Sequence, residues 1–218
     1  MSKRFIFIIA IIGVAALSIF GYISLTKEER MYQNVLESHV RLVITKDNQT
    51  SFASSVIFDE DDTFYYGLTN HHVVSGSSAI DAVDYKNKIY TASIIDSSEY
   101  YDLAIIKFEK SSLNPLHVLK LADAYNINDE IKAVGYPRSI FTISTGHIDT
   151  IELIAESVTL QVIHHTAEID HGSSGGALLN LKNEIVGINF GADPEADMSY
   201  AIPGLKVKQY IDSIDYKG

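Results

Sequence analysis

The chain reads as an all-β protein. Ten short runs rich in Val, Ile, Thr, Phe and Tyr carry that reading, at 40–45, 52–58, 64–69, 89–95, 102–108, 130–134, 141–150, 158–164, 184–190 and 199–202. Each run either alternates apolar and polar residues or is apolar throughout, as half-buried and fully buried strands require. Acidic or Gly/Ser/Asn turns separate them, and the close spacing predicts a barrel or a sandwich. No internal repeat or low-complexity tract interrupts the pattern.

Taken in order, residues 1–30 form a unit of their own. The 21 residues 5–25 carry no charge. As a helix they would span about 31 Å, close to the ~30 Å hydrocarbon core of a bilayer. Lys3 and Arg4 precede the run, whereas Lys27, Glu28, Glu29 and Arg30 after it sum to zero. The positive-inside bias then puts the N-terminus in the cytoplasm and the rest of the chain outside, as a single-pass protein of the cell membrane. The competing expectation is a signal peptide cut near Ala16 and Ser18 and a secreted product. The apolar run continues through Ile19, Phe20, Ile23 and Leu25, which favours an uncleaved membrane anchor.

Residues 31–38 read as a polar stalk, and the strand-like runs begin at His39. Ser111, Ser112, Leu113, Asn114 and Pro115 combine turn residues with a proline and read as the connection between two halves. At the end, Leu205, Val207, Tyr210, Ile211 and Ile214 approximate helical spacing, so 204–215 is expected to be one amphipathic helix packed on the β body.

Composition narrows the function classes. The formal charge is -11, and beyond residue 30 the chain has 13 basic against 26 acidic residues. No basic stripe exists, so nucleic acid is not an expected partner. With no cysteine there can be no disulfide frame and no thiolate metal site. His71, His72, His164, His165 and His171 invite a metal reading. Adjacent histidines on a strand point to opposite faces, however, and neither a metal nor a cofactor is expected.

The chemistry sits in three short segments. Leu68-Thr69-Asn70-His71-His72-Val73 follows a strand-like run, Tyr101-Asp102-Leu103-Ala104 opens another, and Gly172-Ser173-Ser174-Gly175-Gly176 forms a glycine-rich turn. A serine hydroxyl is a poor nucleophile at neutral pH; it needs a base, and the base needs a group to fix its tautomer. His72, Asp102 and Ser174 could supply all three. Glycines beside the serine permit a tight turn that aims backbone N–H groups at a developing oxyanion. Alone, each residue has a duller explanation: a packing histidine, a strand-end aspartate, an ordinary Gly/Ser turn.

Together these segments resemble the TNxHV, DLAxxK and NPGNSGGPLxN boxes of trypsin-like serine proteases of the high-temperature-requirement (HtrA/Deg) type. The order is the same, the three residues lie 30 and 72 positions apart, and the likeness runs from about 41 to 214. It selects His72 over His71 as base and Ser174 over Ser173 as nucleophile. The implied fold is two six-stranded trypsin-like barrels, about 39–112 and 116–203, with the helix 204–215 completing a protease domain over 39–218. The membrane helix would precede it, and no PDZ domain would follow.

The implied activity is endopeptidase cleavage of polypeptide substrates through an acyl-enzyme on Ser174. The N–H groups of Gly172 and Ser174 would form the oxyanion hole, and Asn189, Phe190 and Gly191 would pair with extended substrate. Glu168, six positions before Ser174, would fall near the base of the primary pocket and select Lys or Arg. Two departures stand out: Asp170-His171 replaces Asn-Pro, and Ala177 replaces the proline after the second glycine. They keep an alternative open, a peptide-binding or chaperone-like protein that cleaves weakly or not at all. Homo-oligomer formation is left open too, and the absence of cysteine reads as bacterial.

Overall fold

The computed structural model describes residues 27–156 and 158–217. Among them, helix α1 (Lys27–Glu37) precedes six strands: β1 (His39–Lys46), β2 (Gln49–Glu60), β3 (Phe64–Thr69), β4 (Ala79–Val83), β5 (Ile89–Ser98) and β6 (Leu103–Glu109). They close into a barrel in the order β1-β2-β3-β6-β5-β4. Six more follow: β7 (Glu130–Gly135), β8 (Thr142–Glu156), β9 (Val158–His165), β10 (Ala177–Asn180), β11 (Ile185–Asp193) and β12 (Met198–Pro203). These close as β10-β11-β12-β9-β8-β7. A one-turn helix α2 (His71–Val74) lies between β3 and β4, a 3-10 turn (Pro137–Ser139) between β7 and β8, and helix α3 (Gly204–Asp212) ends the fold. Both barrels belong to one compact unit, Val35–Gly218.

Strand β6 shows why some runs are apolar throughout. Ala104, Ile106 and Phe108 point into the first barrel with Val40, Leu42 and Tyr65. Leu103 and Ile105, on the opposite face, join a core shared with Ala177, Leu179, Ile188 and Ile202 of the second barrel. A strand buried on both faces cannot alternate. Ile131, Ile148, Ile163, Leu178 and Val186 fill the second barrel. Each fully buried Ile or Leu contributes roughly 1.5–3 kcal/mol relative to exposure, so this shared core is what holds the barrels together.

Helix α3 presents Val207 and Tyr210 to the shared core. The Tyr210 hydroxyl donates to Asp96 Oδ2 of β5 at 2.6 Å, fastening the end of the chain to the first barrel. Leu205, expected on the same apolar stripe, is exposed instead. The stripe is therefore narrower than the spacing suggested.

One expected element is corrected. Among the described residues no helix is long and apolar enough to cross a membrane. Helix α1 has 11 residues, opens with Lys-Glu-Glu-Arg, and at 1.5 Å per residue falls well short of a bilayer core. The span expected at 5–25 lies outside the described residues. The fold class is thus two barrels with a C-terminal helix. The expected membrane partner and single-pass location are corrected with it, because no spanning helix exists among the described residues.

Two buried histidines make stability depend on pH. His39 is fully buried and its Nδ1 meets Val35 O at 2.8 Å; burial pushes its pKa down to about 4. His165, equally buried, is pushed down to about 4 for the same reason. The unfolded chain takes up these protons as pH falls below about 6.5, whereas the folded chain resists until about 4, so stability is full above the window and lost on acidification through it. Urea denaturation at pH 7.5, 5.5 and 4.5 should show a steady fall, to which His39 contributes roughly 2–3 kcal/mol. His39→Gln should flatten the profile by roughly half; an unchanged slope would contradict this assignment.

Candidate active site

The residues expected to act together come from both barrels. Strand β3 ends at Thr69, and the buried Asn70 turns the chain into α2. Asn70 Nδ2 donates to Asp102 O at 3.1 Å, tying this turn to the β5–β6 connection. Asp102 sits there in the left-handed region, φ 50°. Its carboxylate faces His72: Oδ2 lies 2.8 Å and Oδ1 3.1 Å from Nδ1, and Oδ1 also accepts the His72 backbone N–H at 3.0 Å. A carboxylate on Nδ1 favours the tautomer with the proton there and leaves Nε2 as a free acceptor. His71 turns away, its Nδ1 2.8 Å from Ser97 Oγ.

Ser174 stands on the turn before β10. Gly172 and Gly175 have φ 101° and 84°. A Cβ on Gly175 would meet Ser54 O at 2.1 Å, so this position excludes a side chain on both strain and space. Within the turn, the N–H groups of Ser173, Gly175 and Gly176 are spent on Asp170 O, Asn189 O and Ser173 O, each at 2.9 Å. Those of Gly172 and Ser174 find no acceptor among the described residues. Two neighbouring orphan donors beside a serine hydroxyl are the arrangement an oxyanion site requires. Ser174 Oγ donates to Phe190 O at 3.4 Å rather than to His72. It nevertheless lines one cavity of about 480 Å³ with His72, Gly172, His171, Phe52 and Val73. Such catalytic bonds commonly tighten only once substrate is bound.

The departures at 170 and 171 have structural partners. Asp170 Oδ1 accepts the His171 N–H at 2.7 Å, and Asp170 Oδ2 lies 2.6 Å from Arg138 Nη2. The His171 N–H and the Arg138 guanidinium hold its pKa below the ordinary carboxylate value. The Arg138 N–H in turn donates to His171 O at 2.9 Å. An ion pair and two hydrogen bonds donated by main-chain N–H groups thus brace the segment where a proline was expected.

The residues expected to meet substrate divide. Asn189 is buried, its side chain donates to Ala177 O at 3.2 Å, and its N–H and C=O both bond the glycine-rich turn that carries Ser174. Phe190 is the extra residue where the β11–β12 register shifts, which frees its carbonyl to face Ser174. Nothing lies within 4 Å of where a Cβ of Gly191 would be, so the face of the strand is open there. Glu168 is exposed and lines a neighbouring cavity of about 600 Å³ with Ile169, Asp193 and Ser199.

One residue was missed altogether. Ser54 of β2 is fully buried. Its N–H donates to Ser174 O at 2.8 Å and its hydroxyl to Gly172 O at 2.7 Å, so the first barrel grips the turn of the second. The only trace in the sequence is a pair of serines inside an apolar run.

Known proteins place this geometry. The family model of the trypsin-like peptidase domain matches residues 53–188. Serine protease HTRA1 of Xenopus laevis is 33% identical over 150 residues, 66% of this chain and 32% of the relative. Serine protease Do-like HtrA of Bacillus subtilis is 29% identical over 191 residues, 80% of this chain and 41% of the relative. The chain thus spans about a third to two-fifths of the length of these curated relatives. The solved HtrA-type protease AlgW with tripeptide superposes with a TM-score of 0.70 at 27% identity, covering 82% of this chain and 61% of that one. The Yersinia pestis serine endoprotease shares the fold, with a TM-score of 0.71 at 24% identity over 87% of this chain and 67% of its own. Relatives in a frog and a bacillus correct the reading of source: the absence of cysteine does not mark the chain as bacterial. The match over the barrels and the agreement with both sets of relatives establish that the chain belongs to the trypsin-like serine proteases of the HtrA type.

Proposed function

We propose that the chain is a serine endopeptidase, with residues 39–218 as the catalytic unit, acting on polypeptides through Ser174, His72 and Asp102. One observation carries the reading: a carboxylate-held imidazole and a serine hydroxyl share a single cavity, beside two backbone N–H groups without acceptors. In the proposed reaction the Ser174 hydroxyl turns from the Phe190 carbonyl to His72 Nε2, gives up its proton and attacks the substrate carbonyl carbon. The oxyanion forms against the N–H groups of Gly172 and Ser174. His72, now an imidazolium stabilised by Asp102, passes the proton to the leaving amine. Water, deprotonated by the same imidazole, then hydrolyses the Ser174 ester.

The Ser174–Phe190 contact supports a second reading, a peptide-binding protein that cleaves poorly. Turnover of casein and of a peptide library decides between them. Ser174→Ala is expected to abolish hydrolysis without unfolding the chain, because only a hydroxyl is removed from a turn set by glycines. Ser173→Ala should retain activity. His72→Ala should be about as severe as Ser174→Ala, and Asp102→Asn somewhat less. His71→Ala should stay within roughly tenfold, about 1.4 kcal/mol on the barrier. Cleavage by Ser174→Ala at the original rate would favour neither reading and would remove the serine from the mechanism.

For specificity, we assign the cavity beside Glu168 to the side chain preceding the cut bond. Its rim also carries Asp193 and Asp197, while Arg138 is occupied by Asp170. Peptides with Lys or Arg before the cut should be preferred, and Glu168→Ala should erase the preference in kcat/KM. A preference for small aliphatic residues that survives the substitution would return Glu168 to the role of a surface acid.

A further inference from the structure

We infer that the Ser54 hydroxyl is a positioning group for the oxyanion hole, acting from the barrel that does not carry the nucleophile. The inference rests on the endopeptidase reading and adds to it a residue outside the three catalytic ones.

Ser54 is fully buried, and its polar groups are spent on the catalytic architecture. The hydroxyl donates to Gly172 O at 2.7 Å and accepts the Tyr136 N–H at 2.8 Å. The backbone N–H donates to Ser174 O at 2.8 Å, and the backbone carbonyl accepts Thr69 Oγ1 at 2.9 Å. Thr69 lies three residues before His72, so this one residue touches the segments that bear the base and the nucleophile.

The two groups Ser54 grips in the turn, the carbonyls of 172 and 174, belong to the residues whose N–H groups form the proposed hole. Peptide planarity makes that grip directional. With its carbonyl turned into the first barrel, the 172–173 peptide must send the Ser173 N–H the opposite way, where it meets Asp170 O at 2.9 Å. Gly172 at φ 101° has no Cβ to resist rotation of this unit. The restraint must therefore come from outside the residue. The Arg138 N–H restrains the preceding peptide through His171 O; for the 172–173 carbonyl it is the Ser54 hydroxyl. The contact of the Ser54 N–H with Ser174 O is independent of the side chain, so substitution isolates the hydroxyl.

The pocket around it is close-fitting: a Cβ on Gly135 would lie 2.8 Å from Ser54 Oγ. Without the hydroxyl, both the Gly172 carbonyl and the Tyr136 N–H lose that partner, and the 172–173 peptide, which links the two peptides that carry the hole's N–H groups, is freer to rotate and to turn both out of aim. Electrostatic stabilisation of an oxyanion depends on donors already aimed before the reaction, and losing one donor outright costs about 10²–10³ in kcat. Misaiming should cost less.

The test uses the full chain as Ser54→Ala, with rates normalised to sites titrated by a fluorophosphonate. The expected result is a fall in kcat of roughly 10–100-fold with KM within about threefold, since ground-state binding does not use the hole. Inhibition by a peptide aldehyde, whose hemiacetal oxygen occupies the hole, should weaken by the same factor as kcat. Ser55→Ala is the matched control. It deletes another buried hydroxyl one residue along, bonded to Leu68 O at 2.9 Å, and should lower Tm while leaving kcat within about twofold. If Ser54→Ala does not fold, Ser54→Cys, which keeps a weak donor in place, should show the same split with a smaller fall in kcat. Unchanged kcat per titrated site, or equal changes in Ser54→Ala and Ser55→Ala, would overturn the inference and leave the endopeptidase reading intact. A wild-type chain that cleaves no peptide would overturn both.

Discussion

The hydrogen bond from the Ser54 amide to the Ser174 carbonyl, 2.8 Å long, crosses from one barrel to the other, and the site depends on it. His72 and Asp102 are positioned by the first barrel, Ser174 by the second. Neither half holds a usable constellation by itself. The apolar core shared by Val56, Leu68, Leu103 and Ile105 with Ala177, Leu179, Ile188 and Ile202 supplies the attraction. Apolar contact is non-directional, however, and would tolerate sliding. Directional bonds across the junction set the register: Ser54 to the nucleophile turn, and Tyr210 on α3 to Asp96 on β5.

Left-handed backbone, found also in turns elsewhere in the fold, recurs at the same place. Asp102 at φ 50°, Gly172 at 101° and Gly175 at 84° are all left-handed, and Arg138 joins them at 49°. Such conformations persist only where the surroundings over-determine them. Here the surroundings are named: Asn70 and Glu99 for Asp102, Ser54 for Gly172, Asn189 for Gly175. Arg138 shows how a substituted site can be rebuilt. Where a proline would have stiffened the turn, its guanidinium meets Asp170 and its N–H meets His171 O. At an exposed site such an ion pair contributes little to stability, so its effect lies in orientation.

The sequence made the barrels legible where burial was simple. Strand β3 reads at its observed bounds, 64–69, because turns bracket it and its run is continuous. Strand β4 was not anticipated, since Asp81 interrupts an already short run, and β10 has only four residues directly after the glycines. Both are strands by virtue of their neighbours, which is tertiary information. The site divides the same way. Local boxes pointed to His72, Asp102 and Ser174, because each carries its context in a few adjacent residues. Ser54 could not be found that way: the partners of its hydroxyl and amide lie 82 to 120 positions further on, and a serine in an apolar strand carries no signature. Asn189 was expected to face substrate, yet its position between the barrel interior and the nucleophile turn sends its polar groups inward.

The central claim is that the two barrels assemble one activated serine. The most direct test is to react the full chain with a fluorophosphonate at neutral pH and map the adduct by peptide mass spectrometry. An ordinary serine hydroxyl is inert to this reagent, so labelling reports the base and the oxyanion donors together. The account predicts a single adduct on Ser174. No adduct, or one on Ser173 or another serine, would contradict it.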